Sequence, residues 1–186
     1  MMLNGSENKL KLAVPRSSGF SREPQFIDLK LWQELCAQFN IPEDIEPKFI
    51  GAGCEQSAFL LGDQYVIKTA PTDSRAYRST LKILNKDISF VAKCHKVIPT
   101  SGTNVAIISD YYSREALWKE LDVFLDIANY SRNIGGGYEK PLGKKEMEMY
   151  KEVRKAGFSV LCDIGLHNVR KHANGHVAII DYGCFI

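Results

Sequence analysis

The stretch Phe158–Ile186, FSVLCDIGLHNVRKHANGHVAIIDYGCFI, brings Asp163, Asn168 and Asp181 into one short span, and these are the residues best suited to chemistry. Asn174-Gly175 is a favoured dipeptide for a tight hairpin turn and is flanked here by NVRKH and HVAII. With those two residues alone as the loop, Asn168 stands directly opposite Asp181. Opposed residues of an antiparallel pair have Cα atoms about 4.5–5.5 Å apart and side chains on one face, so an amide oxygen and a carboxylate converge. Two hard oxygen ligands of this kind suit Mg²⁺, which completes its shell with water and phosphate. Asp163 precedes them on a loop containing Gly165, where a carboxylate held apart from the metal pair can accept a proton. A divalent ion beside a general base is the equipment for phosphorylating a hydroxyl.

A second set of residues lies upstream. Lys48 to Lys68 reads as strand, glycine-rich turn, strand, tight turn and strand: KFIGAG, SAFLL, Gly62-Asp63 and QYVIK. A two-residue turn at Gly62-Asp63 sets Ser57 opposite Lys68. Gly51 and Gly53 let backbone amides approach an anion without Cβ obstruction, and Lys68 adds a point charge. Polyphosphate is the ligand that such a turn and such a lysine would share.

The elements that must position these groups follow from periodicity and punctuation. Met1 to about Pro24 is polar and broken by Pro15, Gly19 and Pro24, which predicts a mobile arm. Asp28 is an N-cap for a helix over Leu29–Phe39, where Leu31, Trp32, Leu35, Cys36 and Phe39 recur at helical spacing. Further expectations are a helix over Ser74–Asn85, strands over Phe90–Val97 and Val105–Ser109, and a helix over Ser113–Ala128. Asn133–Gly143 reads as a loop, with Gly135–Gly137 as a connector or a lid. Lys144–Ala156 is a helix stopped by Gly157. The succession is that of an α+β protein.

Composition bounds the reading. A chain of 186 residues with 45% apolar, 25% charged and 10% aromatic residues is an ordinary globular protein of one domain or two lobes. Its 24 Lys and Arg against 22 Asp and Glu give a net charge of +2, too balanced for phosphate-neutralising nucleic-acid binding. No apolar run predicts a membrane span or a secretory leader. Five widely spaced cysteines without a C-x-x-C fit free thiols in a reducing compartment, so a soluble, cytoplasmic protein is expected. His167, His172 and His176 with Cys162 and Cys184 have the residue types of a zinc site, but their spacing lacks a knuckle or an H-E-x-x-H helix.

Taken together, Gly51-x-Gly53, Val66-Ile67-Lys68, Asp163-x-x-x-x-Asn168 and Asp181-Tyr182-Gly183 occur in the order and at the spacings that resemble the protein-kinase fold, from about Phe49 to Gly183. The nearest flavour is the minimal, atypical kinases of lytic phages and of some bacterial effectors. The resemblance implies a two-lobed α+β fold with a small antiparallel N-lobe sheet and a truncated helical C-lobe. In numbers that is an arm over 1–24 and a kinase-like domain over 25–186, its lobes about 25–110 and 111–186. It further implies ATP and Mg²⁺ as cofactors and transfer to Ser or Thr of a protein substrate. That substrate would be a host protein, met in the host cytoplasm, for a phage or effector enzyme. Asp163 would be the base, Lys68 would contact the α/β-phosphates, and Asn168 and Asp181 would hold the metal. Gly51 and Gly53 would cover the phosphates, and Tyr111, following a strand as a hinge does, would touch adenine.

The sequence also departs from that pattern. Leu161-Cys162 stands where many kinases have His-Arg, which argues against control by activation-loop phosphorylation. No glutamate occurs between Gln56 and Glu115, so the usual helix partner of Lys68 is missing. The sequence stops three residues after Gly183, so an unconventional mode of substrate recognition is expected. Two alternatives stand beside the kinase reading: a pseudokinase serving as an interaction module, and a small-molecule phosphotransferase of the aminoglycoside or choline kinase kind.

Overall fold

The computed structural model describes residues 8–15, 23–53, 55–84, 86–133 and 141–186. It is a mixed α+β protein whose contacts divide it into two compact units, Met1–Ser74 with His95–Tyr111 and Arg75–Cys94 with Tyr112–Ile186. A single boundary near Tyr111 is therefore corrected. The segment Arg75–Cys94 belongs with the second unit, where its Ser79 hydroxyl donates to the Phe185 carbonyl at 2.9 Å.

The first unit begins with a hairpin, β1 (Lys9–Leu12) against β2 (Gln25–Asp28), antiparallel, pairing Lys9 with Asp28 and Leu12 with Gln25. Part of the expected mobile arm is thus a strand. Its KLKL alternation has the period of a half-buried strand, and Leu12 is buried. Residues 1–7 and 16–22 of the arm lie outside the described residues, as does the Gly135–Gly137 segment.

Helix α1 (Leu29–Phe39) has the expected bounds. Asp28 Oδ1 accepts from the backbone N–H of Lys30 at 3.0 Å and of Leu31 at 3.2 Å, satisfying two donors that the first turn leaves unpaired. Asn40 closes the helix in the left-handed region, φ 52°.

The main sheet contains β3 (Lys48–Ala52), β4 (Ser57–Leu61), β5 (Tyr65–Pro71), β6 (Cys94–Pro99) and β7 (Asn104–Asp110), in the spatial order β3-β4-β5-β7-β6. One face supplies Phe59, Leu61, Ile67, Ala106 and Ile108, which pack against Trp32 and Leu35 of α1 and against Leu12 and Ile27 of the hairpin. Burying each large aliphatic or aromatic side chain contributes about 1.5–3 kcal/mol. The alternate residues of β5, Val66 and Lys68, face the other way. The strand expected over Phe90–Val97 begins instead at Cys94.

In the second unit, α2 (Arg75–Ile83), α3 (Trp118–Arg132) and α4 (Lys144–Lys155) accompany a three-stranded sheet of β8 (Arg114–Glu115), β9 (Val169–Lys171) and β10 (Val177–Ile179), ordered β10-β9-β8. The helix expected over Ser113–Ala128 is divided, because Arg114 and Glu115 extend to pair with Lys171 and Arg170. Helix α3 then starts at Trp118, where Glu120 Oε2 reaches back to the Leu117 N–H at 2.8 Å. Tyr130 of α3 meets Tyr150 of α4 edge-on, centroids 5.3 Å apart. Gly157, at φ +90°, terminates α4 in a conformation that costs a residue with a Cβ about 1–2 kcal/mol. Among the described residues no helix is long and apolar enough to cross a membrane.

Candidate functional site

The site residues of the second unit cluster where the loop Cys162–His167 meets β9 and the 3-10 turn Tyr182–Cys184 that follows β10. Asn168 is buried and points its amide at Asp163: Nδ2 donates to the Asp163 carbonyl at 2.8 Å and to its Oδ2 at 3.3 Å. The Asp163 side chain is itself 72% exposed, and its backbone lies in the left-handed region at φ 51°. A non-glycine residue there is sterically strained, and the double hydrogen bond from Asn168 holds it. Gly165 helps turn the loop, its carbonyl accepting from the N–H groups of Asn168 and Val169, each at 2.9 Å.

Asp181 caps the 3-10 turn, its Oδ1 accepting from the Gly183 N–H at 2.8 Å. A Cβ on Gly183 would lie 3.1 Å from that same oxygen, so a side chain there would crowd the Asp181 carboxylate. The Cys184 N–H donates to the Asp181 carbonyl at 3.2 Å, and its thiol donates to the Asp163 carbonyl at 3.5 Å. Cys184 is thus the link that ties Asp181 to the Asp163–Asn168 pair.

Direct opposition of Asn168 and Asp181 does not occur. The hairpin pairs Lys171 with Val177 and Val169 with Ile179, and the Ile180 N–H donates to the Asn168 carbonyl at 2.8 Å. The loop has three residues, Ala173–Gly175, with Gly175 at φ +91° and the His172 N–H bonded to the His176 carbonyl. That is the turn-plus-bulge loop in which glycine takes the left-handed position. The register moves by one residue, and Asp181 reaches the neighbourhood of Asp163 through the 3-10 turn rather than across the ladder.

The same correction applies in the first unit. Residues Gly62–Gln64 form a three-residue loop with Gly62 at φ +61°, so Ala58, not Ser57, faces Lys68. Lys68 is only 6% exposed, between Ala58 and Ile107 on neighbouring strands. Gly51 follows a bulge at Ile50, and the Gly53 N–H donates to the Gln56 carbonyl at 2.8 Å. A Cβ on either glycine would meet nothing within 4 Å. Neither glycine is therefore demanded by the protein's own packing. Tyr111 prolongs β7, its N–H bonded to the Gln64 carbonyl at 2.7 Å. A cavity of about 210 Å³ in this unit is lined by Ser57, Phe59, Thr69 and Asn104. By strand alternation it lies on the opposite face of β5 from Lys68, so it does not serve that lysine.

Some neighbours of the site have no motif to announce them. Arg75, the first residue of α2, donates from Nη1 to the Cys162 thiol at 3.4 Å. Tyr112, His172 and His176 form a ring cluster in which the Tyr112 hydroxyl meets His176 Nδ1 at 2.9 Å. His176 Nε2 lies 2.6 Å from the Ser89 carbonyl, which requires the proton on Nε2. Two histidines of the conceivable zinc set are thus engaged in packing. Among the described residues no group of three or more His, Cys, Asp or Glu is arranged to hold a metal ion.

Two side-chain oxygens of the cluster have the donor chemistry that Mg²⁺ takes. Asp181 Oδ2 and Asn168 Oδ1 are hard ligands that none of the hydrogen bonds above occupies, and Mg²⁺ needs one or two carboxylates with water and phosphate. No protein-family model matches the chain, and no curated protein matches it.

Proposed function

We propose that the protein is a minimal kinase-like phosphotransferase that moves the γ-phosphoryl group of ATP to a serine or threonine hydroxyl of a protein substrate. One observation carries the reading: the buried Asn168 amide spans the carbonyl and the carboxylate of an exposed, strained Asp163, with Asp181 linked to the same carbonyl through Cys184. Asp163 is the proton acceptor, since its carboxylate is open to solvent and fixed by a neighbour. Asn168 and Asp181 are the metal ligands. Mg²⁺ bound there would neutralise charge on the phosphates.

In the first unit, Lys68 stands on the third strand of the five-stranded sheet, as the phosphate-contacting lysine of kinases does. We assign Gly51, Gly53 and Lys68 to the phosphates and Tyr111 to the base. The partner is a protein substrate met in the cytoplasm, that of the host for a phage or effector enzyme. The pseudokinase reading draws on one observation: α2, RAYRSTLKI, holds no acidic residue to pair a lysine.

Purified protein incubated with labelled ATP, MgCl₂ and a cell extract should label itself or an extract protein at serine or threonine, identified by mass spectrometry. Asp163→Ala should lower transfer by about 10²–10⁴-fold, and Asp181→Ala should abolish it together with Mg²⁺-dependent ATP binding. Equal labelling by the variants rejects the assignment. ATP·Mg²⁺ stabilisation without transfer selects the pseudokinase, and transfer only to a small alcohol selects a small-molecule phosphotransferase.

A further inference from the structure

Cys162 and Cys184 flank the site, and their backbones are paired. Val160 and Ile186 exchange both hydrogen bonds, at 3.1 and 3.0 Å, Leu161 and Phe185 form an antiparallel bridge, and the Cys162 N–H donates to the Cys184 carbonyl at 2.8 Å. This alternation sets Cys162 directly opposite Cys184. Opposed residues at a hydrogen-bonded position have Cα atoms about 5.5 Å apart and side chains on one face. Disulfides span about 4.4–6.8 Å between Cα atoms, a range that includes this ladder spacing.

The thiols lean toward each other's segment. Cys162 Sγ donates to the Gly183 carbonyl at 3.7 Å and Cys184 Sγ to the Asp163 carbonyl at 3.5 Å. Both are thiols in the structure, Cys162 half-buried and Cys184 fully buried. A solvent-reachable thiol beside a buried one is the arrangement of an attacking and a resolving cysteine. Arg75, an exposed residue, donates from Nη1 to Cys162 Sγ at 3.4 Å, so that sulfur lies beside the first turn of α2.

We propose that Cys162 and Cys184 are an oxidation site that closes as a reversible disulfide and switches the adjacent phosphotransfer centre off. The oxidant is a hydroperoxide. Cys162 sulfur attacks one peroxide oxygen, the O–O bond breaks, and the departing hydroxide takes up the thiol proton as water, leaving a sulfenic acid. Cys184 sulfur then attacks Cys162 sulfur, the S–O bond breaks, and a second water leaves with the Cys184 proton. Two thiols are oxidised to one disulfide while hydrogen peroxide is reduced to two waters. Bond formation withdraws the Cys184 thiol from the Asp163 carbonyl, so the link that ties Asp181 to the Asp163–Asn168 pair is lost and the base and the metal ligands no longer hold their relative positions. The loss of activity rests on the phosphotransfer reading, whereas the cross-link does not.

Reduced full-length protein is treated with hydrogen peroxide, and both its intact mass and its peptide map are recorded. Expected is the loss of two hydrogens, a Cys162–Cys184 linked peptide, and restoration by dithiothreitol. Cys36, whose thiol burial and then the Glu43 charge push up to about 11, stays unlinked. Cys162→Ser, a change at a half-buried position, removes the link, and Cys184→Ala leaves a Cys162 sulfenic acid that dimedone captures. Absence of the link in the native sequence, or a link between other cysteines, overturns the proposal. Oxidised protein should transfer phosphate at least tenfold more slowly than reduced protein, and an unchanged rate in linked protein overturns the switch. A link that forms in protein inactive in both states retains the oxidation site and rejects the phosphotransfer reading instead.

Discussion

Asn168 grips Asp163 twice, through the main-chain carbonyl at 2.8 Å and the carboxylate at 3.3 Å, and so fixes a residue whose backbone would not choose its conformation unaided. Replacement of Asp163 separates strain from chemistry. Asp163→Gly relieves the left-handed backbone, and Asp163→Ala does not. The glycine variant should be more stable than the alanine variant by about 1 kcal/mol, while both lose transfer to the same extent. Urea unfolding with a parallel transfer assay checks this, and equal stability of the two variants would show that φ at Asp163 is not strained in solution.

Gly183 has a different reason to be glycine. Its φ is not positive, but a Cβ would come within 3.1 Å of Asp181 Oδ1. Gly183→Ala should therefore displace the Asp181 carboxylate and weaken Mg²⁺-dependent ATP stabilisation several-fold, with only a modest change in melting temperature without ligand. Differential scanning fluorimetry with and without MgCl₂ measures both. A variant that binds ATP·Mg²⁺ as tightly as the native protein would remove Asp181 from the proposed metal site.

The opposite holds at Gly51 and Gly53, around which there is open space. Alanine at either position should leave the fold unchanged or stabilise it by about 0.4–1 kcal/mol through the unfolded chain. A loss of ATP affinity in those variants consequently reports on how closely the nucleotide approaches the turn. Calorimetric titration showing native affinity for Gly51→Ala would withdraw the turn from the proposed nucleotide site.

Glu120 and Lys171 form a partly buried ion pair of 2.6 Å that joins the first turn of α3 to β9. The hydrogen bond from Lys171 and that from the Leu117 N–H hold the Glu120 carboxyl below its ordinary value of 4.5. A lowered acid contributes stability that is fully present above the ordinary value and is lost as pH falls through the lowered one. Lys171→Met should thus cost about 0.5–1 kcal/mol near neutral pH, and the difference from the native protein should shrink in acid. Chemical denaturation across a pH series tests the sign. A cost that grows on acidification would be incompatible with the pair.

Much of this was written locally in the sequence, and the failures share a cause. Helix α1 was legible because Asp28, the apolar stripe and Asn40 each act within one or two turns of chain. The two hairpins were legible as hairpins, but their registers were not. Gly62 and Gly175 each serve a three-residue loop as readily as a two-residue one, and one residue of loop decides which side chains oppose. Asp163, Asn168 and Asp181 are nonetheless connected, through the Asn168 amide and through Cys184, since a 3-10 turn after β10 returns Asp181 toward the loop by a route that strand counting does not contain. Strand β1 escaped notice because its partner β2 lies beyond an intervening stretch and four alternating residues are a faint signal alone. Cys184, the link within the site, carries no motif.

The division of the chain has a practical consequence. The polypeptide passes from one unit to the other after Ser74, back after Cys94 and across again after Tyr111. No single truncation or proteolytic nick releases either unit whole, since cutting at Tyr111 deprives the second of α2 and orphans the carbonyl of Phe185 that Ser79 satisfies. Isolating the second unit requires a chain that starts at Arg75 and replaces His95–Tyr111 by a linker.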